Sequence, residues 1–271
     1  MKAILLSLLL FTLTLAAPAQ PPILWFQTFG GSNYDYGKSV QQTGDGGYII
    51  GGYTESYGAG SKDVYLVKTH AFGIEQWSQT YGGSSDDGGW SVQQTNDGGY
   101  VIAGETNSFG AGGSDVYLIK TDASGIEQWN QTYGGSDYEE GFSVQQTYDG
   151  GYIVTGYTLS YGVDYEDVYL VKTNASGIQQ WNQTYGTTIS DYGRNVQQTS
   201  DGGYIIAGWT LSYDSDVYLI KTSPSGNYQW SKTFGGEARR IGETVFSRLL
   251  TAGISLRGRP LPTALEKLTF A

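Results

Sequence analysis

The chain repeats itself with a period of about 52 residues, and this feature constrains its fold more than any other. Five tryptophans mark the period at spacings of 52, 52, 52 and 49 residues: Trp25, Trp77, Trp129, Trp181 and Trp230. The tripeptide "DVY" follows the same spacing, beginning at Asp63, Asp115, Asp167 and Asp216. The last spacing is shorter because "LSYGVDYEDVY" in the third repeat becomes "LSYDSDVY" in the fourth. Such a period predicts stacked units, as in propeller blades or a solenoid.

Each repeat divides into four segments with the pattern of short strands. In the second repeat they are "WSVQQT", "GYVIAGET", "DVYLIKT" and "IEQWNQTY". Apolar and polar residues alternate within them, and Gly, Asn, Asp and Ser separate them, as is typical of β-strands. Four antiparallel strands per unit with no helical pattern predict an all-β propeller of four-stranded blades.

The connections between the strands are of two kinds. Tight "DGG" turns join the first two strands, and glycine-ending turns join the last two. The other two connections are longer and differ between repeats. In an up-and-down blade these longer loops emerge together, so we expect function on one long-loop face.

The amino-terminal sequence "MKAILLSLLLFTLTLAAPAQ" is typical of a secretory signal peptide. The small-x-small pattern at Ala17–Ala19 predicts cleavage after Ala19, leaving no membrane span, with a retained anchor as the alternative. The net charge of −11 argues against nucleic acid as a partner. The chain has no cysteine, so its stability cannot come from disulfides. These features predict a protein of the cell exterior or cell surface.

We therefore divide the chain into three parts. Residues 1–19 are the predicted signal peptide, residues 20–236 the predicted propeller domain, and residues 237–271 a divergent tail that is either disordered or frame-shifted. The domain contains repeats 25–76, 77–128, 129–180 and 181–229 and a closing strand, 230–236. Because Trp25–Phe29 matches a fourth strand with nothing before it, we expect a spare leading strand and an incomplete propeller.

The tail keeps the register of the repeat to Val245 and then departs from it. Residues 237–271 hold six Arg or Lys and three Asp or Glu, so the sign of the charge reverses. We interpret this as truncation or a frameshift in a longer repeat array, since the tail lacks the pattern of a terminal cap. A true carboxy-terminal extension is the alternative. An open array would leave an unpaired strand edge at each end, which predicts self-association.

The segment "DVYLIKTDASGIEQWNQTYGG", residues 115–135, resembles the blades of quinoprotein-like propellers, which share its Gly-x-x-x-Trp spacing. The stretch "YIIGGYTESYGAGSKDVYLVK", residues 48–68, also looks like kelch repeats. Taken together, residues 25–236 are most similar to the secreted β-propeller repeat arrays of microbial surface proteins. That resemblance implies the propeller architecture and carries no assigned activity.

Residues typical of catalysis are few. The single histidine, His70, falls in a tight turn, and no Ser-His-Asp, Cys-His or zinc pattern is present. Paired carboxylates occur at Asp86-Asp87 and Glu139-Glu140, and they would support acid–base catalysis only if two of them faced each other across a pocket. We therefore expect no enzymatic activity and no bound cofactor, with a secreted enzyme acting on glycans as the alternative.

Two sets of side chains in the long loops are candidates for binding. Acidic loop residues could supply oxygen ligands to calcium, namely Asp35, Asp86, Asp87, Asp137 and Asp191. Aromatic residues could contact a sugar or a protein surface, namely Tyr34, Tyr36, Tyr57, Phe109, Tyr138, Tyr161, Tyr192 and Tyr213. Packing of these rings over the blade edges is the alternative.

The sequence thus predicts a binding or scaffold module that recognises a protein or a polysaccharide at the cell surface. A truncated fragment without a function of its own is a further alternative.

Overall fold

The structure, a computed structural model, describes residues 25–211 and 215–235. The predicted signal peptide, the tail and Tyr213 lie outside the described residues. Within the described part of the chain every strand belongs to one of four antiparallel sheets, and no helix is present. There is accordingly no helix in this part that is long and apolar enough to cross a membrane.

Each sheet is a four-stranded meander, and the sheets are blades 1 to 4 in chain order. Blade 1 contains β1 Asp35–Gln42, β2 Tyr48–Thr54, β3 Asp63–Thr69 and β4 Glu75–Tyr81. Blade 2 contains β5 Asp87–Gln94, β6 Tyr100–Thr106, β7 Asp115–Thr121 and β8 Glu127–Tyr133. Blade 3 contains β9 Glu139–Gln146, β10 Tyr152–Thr158, β11 Asp167–Thr173 and β12 Gln179–Tyr185. Blade 4 contains β13 Asp191–Gln198, β14 Tyr204–Leu211, β15 Ser215–Thr222 and β16 Tyr228–Phe234.

This arrangement confirms the predicted all-β fold of four-stranded blades. The first strands of successive blades contact one another, so they surround the propeller axis, and the propeller is not closed. The structure differs from the sequence expectation at Trp25–Phe29, which forms no strand. No neighbouring strand among the described residues offers this segment a hydrogen-bonded ladder. Its Trp25 nevertheless packs on Tyr48, with ring centroids 6.0 Å apart.

The hydrophobic core lies between the blades. Three clusters fill the three junctions, and each joins residues of one blade to residues of the next. Between blades 1 and 2, Val64 and Leu66 pack with Val92 and Tyr100, all of them buried. The third strand of blades 1 to 3 is buried on both faces, since both of its sheet faces pack against neighbours.

The "DGG" turn has a structural role that recurs in every blade. In blade 2, Gly98 has a φ of 84°, a conformation that favours glycine. Asp97 accepts a hydrogen bond from Gly99 N at 3.0 Å and pairs with Lys120 Nζ at 2.8 Å. Lys120 is 3 % exposed and also donates to Thr121 O. The repeated aspartate and lysine therefore join the inner hairpin to the third strand.

Candidate functional site

A β-bulge interrupts the first strand of every blade at the same place. Its extra residue differs in each blade, although the residues around it are nearly constant; the four are Lys38, Trp90, Phe142 and Arg194. A bulge redirects a side chain out of the regular alternation and is common beside functional sites. These four side chains meet near the axis, close to the long-loop face.

A second set of varying positions lies beside the bulges. They are cross-strand partners of the first two strands of each blade: Tyr36 with Tyr53, Gly88 with Glu105, Glu140 with Tyr157, and Tyr192 with Trp209. Cross-strand partners present their side chains on the same sheet face. We call these side chains, the four bulge residues and Lys62 together the axial cluster.

Aromatic rings connect the axial cluster from blade 1 to blade 4. The path runs from Tyr36 through Tyr53, Trp90, Phe142, Tyr157 and Tyr192 to Trp209, with centroid separations from 4.9 to 6.2 Å. Such distances are typical of favourable aromatic contacts. Most of these rings are half-buried, so their outer surfaces remain available to a ligand.

Three cations lie against these rings. Arg194 Cζ stands 3.8 Å from the centroid of Phe142 and 4.1 Å from that of Trp209. Lys38 Nζ is 4.8 Å from the Trp90 ring, and Lys62 Nζ is 4.5 Å from the Tyr53 ring. These are cation–π distances, so the cluster combines apolar surface with positive charge.

Two glutamates face each other inside the axial cluster. Glu140 shares a hydrogen bond with Glu105, and Tyr157 Oη donates to Glu140 Oε1 at 3.1 Å. Burial raises the pKa of Glu140 to about 7, and the charge of Glu105 adds to the shift. Glu105 itself forms an ion pair with Lys62 at 2.7 Å. The arrangement therefore favours a protonated Glu140 near neutral pH.

The cluster also holds a buried polar atom without a partner in the described part of the chain. Trp90 Nε1 is buried and has no hydrogen-bond partner among the described residues. An indole N–H is a donor only, and a buried donor without a partner is costly.

The predicted aromatic residues separate into two groups in the structure. Tyr36 and Tyr192 belong to the axial cluster. Tyr57, Phe109 and Tyr161 instead pack on Tyr65, Tyr117 and Tyr169 of their own blades, at 6.0, 5.8 and 5.7 Å. These three rings therefore pack over the edges of their own blades, which was the alternative to ligand binding in the sequence analysis.

The remaining aromatic candidates are more peripheral. The ring centroids of Tyr34 and Tyr36 are 6.3 Å apart. The Tyr138 ring lies beside Gly113, which belongs to a long loop of blade 2. Tyr34 and Tyr138 are both more than half exposed. The proposed use of these rings in binding remains a prediction.

Apart from the adjacent Asp86 and Asp87, the five aspartates considered for calcium belong to the long loops and first strands of different blades. Asp35, Asp87 and Asp191 accept hydrogen bonds from the loop amides of Gly31, Gly83 and Thr187. Asp86 accepts a hydrogen bond from Ser61, and Asp137 is exposed. No three metal-ligating side chains cluster within the described residues. Calcium binding thus remains a prediction, and these contacts give three of the aspartates a loop-stabilising role.

Most of the axial cluster was missed by the sequence analysis, which looked for function in the loops. The signal was present in aligned strands. The segments "DYGKSV", "DGGWSV", "EEGFSV" and "DYGRNV" are nearly constant apart from the second and fourth positions. Variation at two positions inside a conserved strand indicates that the side chains there face something other than the repeated core.

Comparison with known proteins gives the fold and no family. No protein-family model and no curated protein sequence matches the chain. One similar solved structure is an endo-1,5-α-L-arabinanase from Thermotoga petrophila RKU-1, at 15 % identity and a TM-score of 0.41. The similarity covers 72 % of this chain and 53 % of the arabinanase.

A second similar structure is a calcium-binding protein, regucalcin, from Agrobacterium tumefaciens str. C58, at 11 % identity and a TM-score of 0.39. It covers 72 % of this chain and 59 % of that protein. The chain therefore spans little more than half the length of either structure, and at these identities the likeness concerns the fold alone.

The comparison corrects one expectation. The sequence analysis predicted a protein without enzymatic activity because it found no histidine- or cysteine-based centre. One of the similar structures, the arabinanase, is that of an enzyme. The prediction failed because it treated the acidic side chains as solvated loop residues, whereas Glu105 and Glu140 meet inside the axial cluster.

Proposed function

We propose that this protein acts on a glycan at the axial cluster, with Glu140 as the group that carries the proton. The observation that supports this proposal is the Glu105–Glu140 pair, held among aromatic rings at positions that vary from blade to blade. A repeated scaffold needs no such pair. Two like carboxyls in contact cost free energy unless they share a proton.

The chemistry around the pair suits a sugar. Aromatic faces pack on the apolar C–H surface of a sugar ring, and carboxyl, guanidinium and ammonium groups bind its hydroxyls. Trp90 offers a half-buried ring. Lys38, Lys62 and Arg194 would favour a glycan that bears carboxylate or sulfate groups.

Proton transfer is the step that the glutamates support. With its pKa near 7, Glu140 can donate or accept a proton at neutral pH, the property required of a general acid or base. The pair is in hydrogen-bond contact, closer than the roughly 5 Å or more that separates the carboxyls of glycoside hydrolases. In hydrolysis Glu140 would donate its proton to the oxygen of the breaking glycosidic bond while water adds to the anomeric carbon, and Glu105 is its acidic neighbour.

The proposal places the protein outside the cell, where polysaccharides are accessible. The signal-like sequence before residue 20 supports this location, as does the resemblance to secreted repeat arrays.

Binding can be tested with a glycan array followed by titration of the best ligand. Trp90→Ala should weaken binding at least about tenfold, the loss of one ring contact. Phe109→Ala is the matched control, because it removes an exposed ring from a long loop. If Phe109→Ala weakens binding and Trp90→Ala does not, the site lies in the loops and the axial proposal is wrong.

Turnover can be tested by incubating the bound polysaccharide with the protein and measuring new reducing ends and unsaturated products. Glu140→Gln should abolish product formation and leave binding within about threefold, since the amide keeps the shape of the side chain and loses the proton. If the wild type binds the polysaccharide but forms no product, the site serves recognition only, and the role given to Glu140 is wrong.

A further inference from the structure

Adjacent blades are joined by a pattern of contacts that recurs at all three junctions. Between blades 1 and 2, Val92 N donates to Ser39 Oγ at 3.2 Å and Gln94 N donates to Gln41 Oε1 at 2.7 Å. In return, Gly44 N donates to Gln94 Oε1 at 2.9 Å. The same three bonds recur between blades 2 and 3 and between blades 3 and 4. The repeated "QQT" therefore forms a blade-to-blade connector.

The apolar side of the junction is equally regular. A Cβ at Gly89 would meet Gly52 O and the Val64 side chain of the preceding blade, and Gly141 and Gly193 have the same surroundings. Each blade thus has a tail face, which carries the valine, and a head face, which receives it. Tail and head faces are complementary at every junction because their residues are repeated.

Blade 4 presents a tail face that no described residue covers. Val64, Val116 and Val168 are at most 1 % exposed, whereas their counterpart Val217 is only half-buried. The outer strand of blade 4 is also uncovered, with Trp230 41 % exposed and Phe234 51 % exposed.

Blade 1 presents a head face that is only partly covered. Val40 is 66 % exposed, but its counterparts Val92, Val144 and Val196 are at most 7 % exposed. A cavity of about 170 Å³ lies on this face, lined by Phe29, Tyr36, Ile50 and Val67 among others. Trp25 packs on Tyr48 there, as Trp77 packs on Tyr100 at the first internal junction.

We propose that two copies of this chain join head to tail into a closed propeller of eight blades. The tail face of each copy would dock on the head face of the other, which makes two identical junctions related by a two-fold axis. Val217 of one copy would pack on Gly37 of the second copy. Gln197 Oε1 would accept from the second copy's Gln42 N, repeating the internal bond. Eight blades lie within the range of known propellers.

Dimer formation requires Trp25 to leave its position on Tyr48. Trp230 of the second copy would then pack on Tyr48 in its place. The segment Trp25–Phe29 has no strand pairing among the described residues, so its displacement breaks no ladder. Trp25→Ala should therefore strengthen association.

Closure would also complete the axial cluster. Tyr36 and Lys38 end it on blade 1, and Arg194 and Trp209 end it on blade 4. In the closed ring these ends become neighbours, so each copy contributes to a single site around the axis. Because Lys38 and Arg194 would then be adjacent, their repulsion should make association stronger at higher ionic strength.

Sedimentation velocity over a range of concentrations tests the proposal. The wild type should form dimers and no larger species. Val40→Glu alters only the head face and Val217→Glu only the tail face, so each variant alone should be monomeric. An equimolar mixture should regain dimers, though at higher concentration than the wild type, because only the intact tail of the first variant and the intact head of the second form a complete junction. Ile126→Glu, which adds the same charge to an exposed turn, should behave as the wild type.

Several results would overturn the proposal. These are a wild type that stays monomeric at every concentration, growth into open polymers, or no recovery of dimers in the mixture. Circular dichroism establishes that each variant is folded, and Trp230→Ala provides a second tail-face variant if Val217→Glu does not fold. Glycan binding is measured separately, so a failure here leaves the proposed function standing.

Discussion

At the scale of single residues, the charge of Glu140 depends most on its neighbours. Burial and Glu105 raise its pKa from 4.5 to about 7. The folded protein therefore holds a proton that the unfolded chain releases in this range. The stability that this group contributes is complete below pH 4.5 and is lost as the pH rises through about 7.

Glu140→Gln should remove this dependence. Between about pH 5 and about pH 8, the unfolding free energy of the variant should fall less than that of the wild type, by on the order of 2 kcal/mol. Urea denaturation at the two pH values measures the difference. Glu127→Gln on an exposed outer strand is the control, and an equal response of both variants would show that the carboxyl pair does not hold a proton.

Lys120 illustrates a second effect at this scale, the cost of removing a buried hydrogen-bonded charge. Lys120→Met should lower the unfolding free energy by about 1–2 kcal/mol, because Thr121 O and Asp97 lose their donor. Lys221→Met, at the less buried counterpart in blade 4, should cost less. Thermal unfolding of the two variants tests this order, and a larger loss at Lys221 would contradict it.

At the scale of the strand, one hydroxyl joins the outer edge of each blade to the next. Tyr133 Oη donates to Gly177 O at 2.5 Å, and Tyr81 does the same to Gly125 O at 2.6 Å. The equivalent residues at the two ends of the array are Phe29 and Phe234, which have no hydroxyl. The tyrosine therefore occurs on the outer strands of blades 1 to 3, each of which is followed by another described blade.

Tyr133→Phe should lower the unfolding free energy by about 1–2 kcal/mol, because it leaves the buried Gly177 carbonyl without its donor. Phe234→Tyr makes the reverse change on an exposed ring and should alter stability by less than about 0.5 kcal/mol. Chemical denaturation of both variants measures the difference. If they shift stability equally, the inter-blade bond is not what the tyrosine contributes.

At the scale of the whole molecule, stability should vary along the chain because each blade contacts only its neighbours. Inner blades have two junctions, whereas blade 4 has one within the described residues. Terminal blades should therefore open more easily than central ones.

Hydrogen exchange tests this expectation, with the head-face variant Val40→Glu used to prevent association. Amides of β16, Tyr228–Phe234, should exchange faster than those of the equivalent strand β8, Glu127–Tyr133. Similar rates in the two strands would mean that the array opens as a single cooperative unit.

Sequence alone determined the elements of this protein. The tryptophan spacing predicted four blades, and the "DGG" and Gly-x-x-x-Trp patterns predicted their turns, because hairpins and alternating strands are encoded within a few residues. It could not locate the site, since Lys38, Trp90, Glu105 and Glu140 are separated by up to 102 residues in sequence. The expected absence of catalysis failed for the same reason: Glu140 was judged as one member of an acidic loop pair with Glu139.

Only the tertiary structure decided which residues meet. The bulge in each first strand directs its extra side chain toward the axis, and this direction depends on a register that the residue pattern does not reveal. Packing of the blades around the axis then brings the four bulge side chains together and places Glu105 of blade 2 against Glu140 of blade 3. The repeat thus fixed the scaffold through local contacts, while the site arose from contacts between blades, which exist only after the chain has folded.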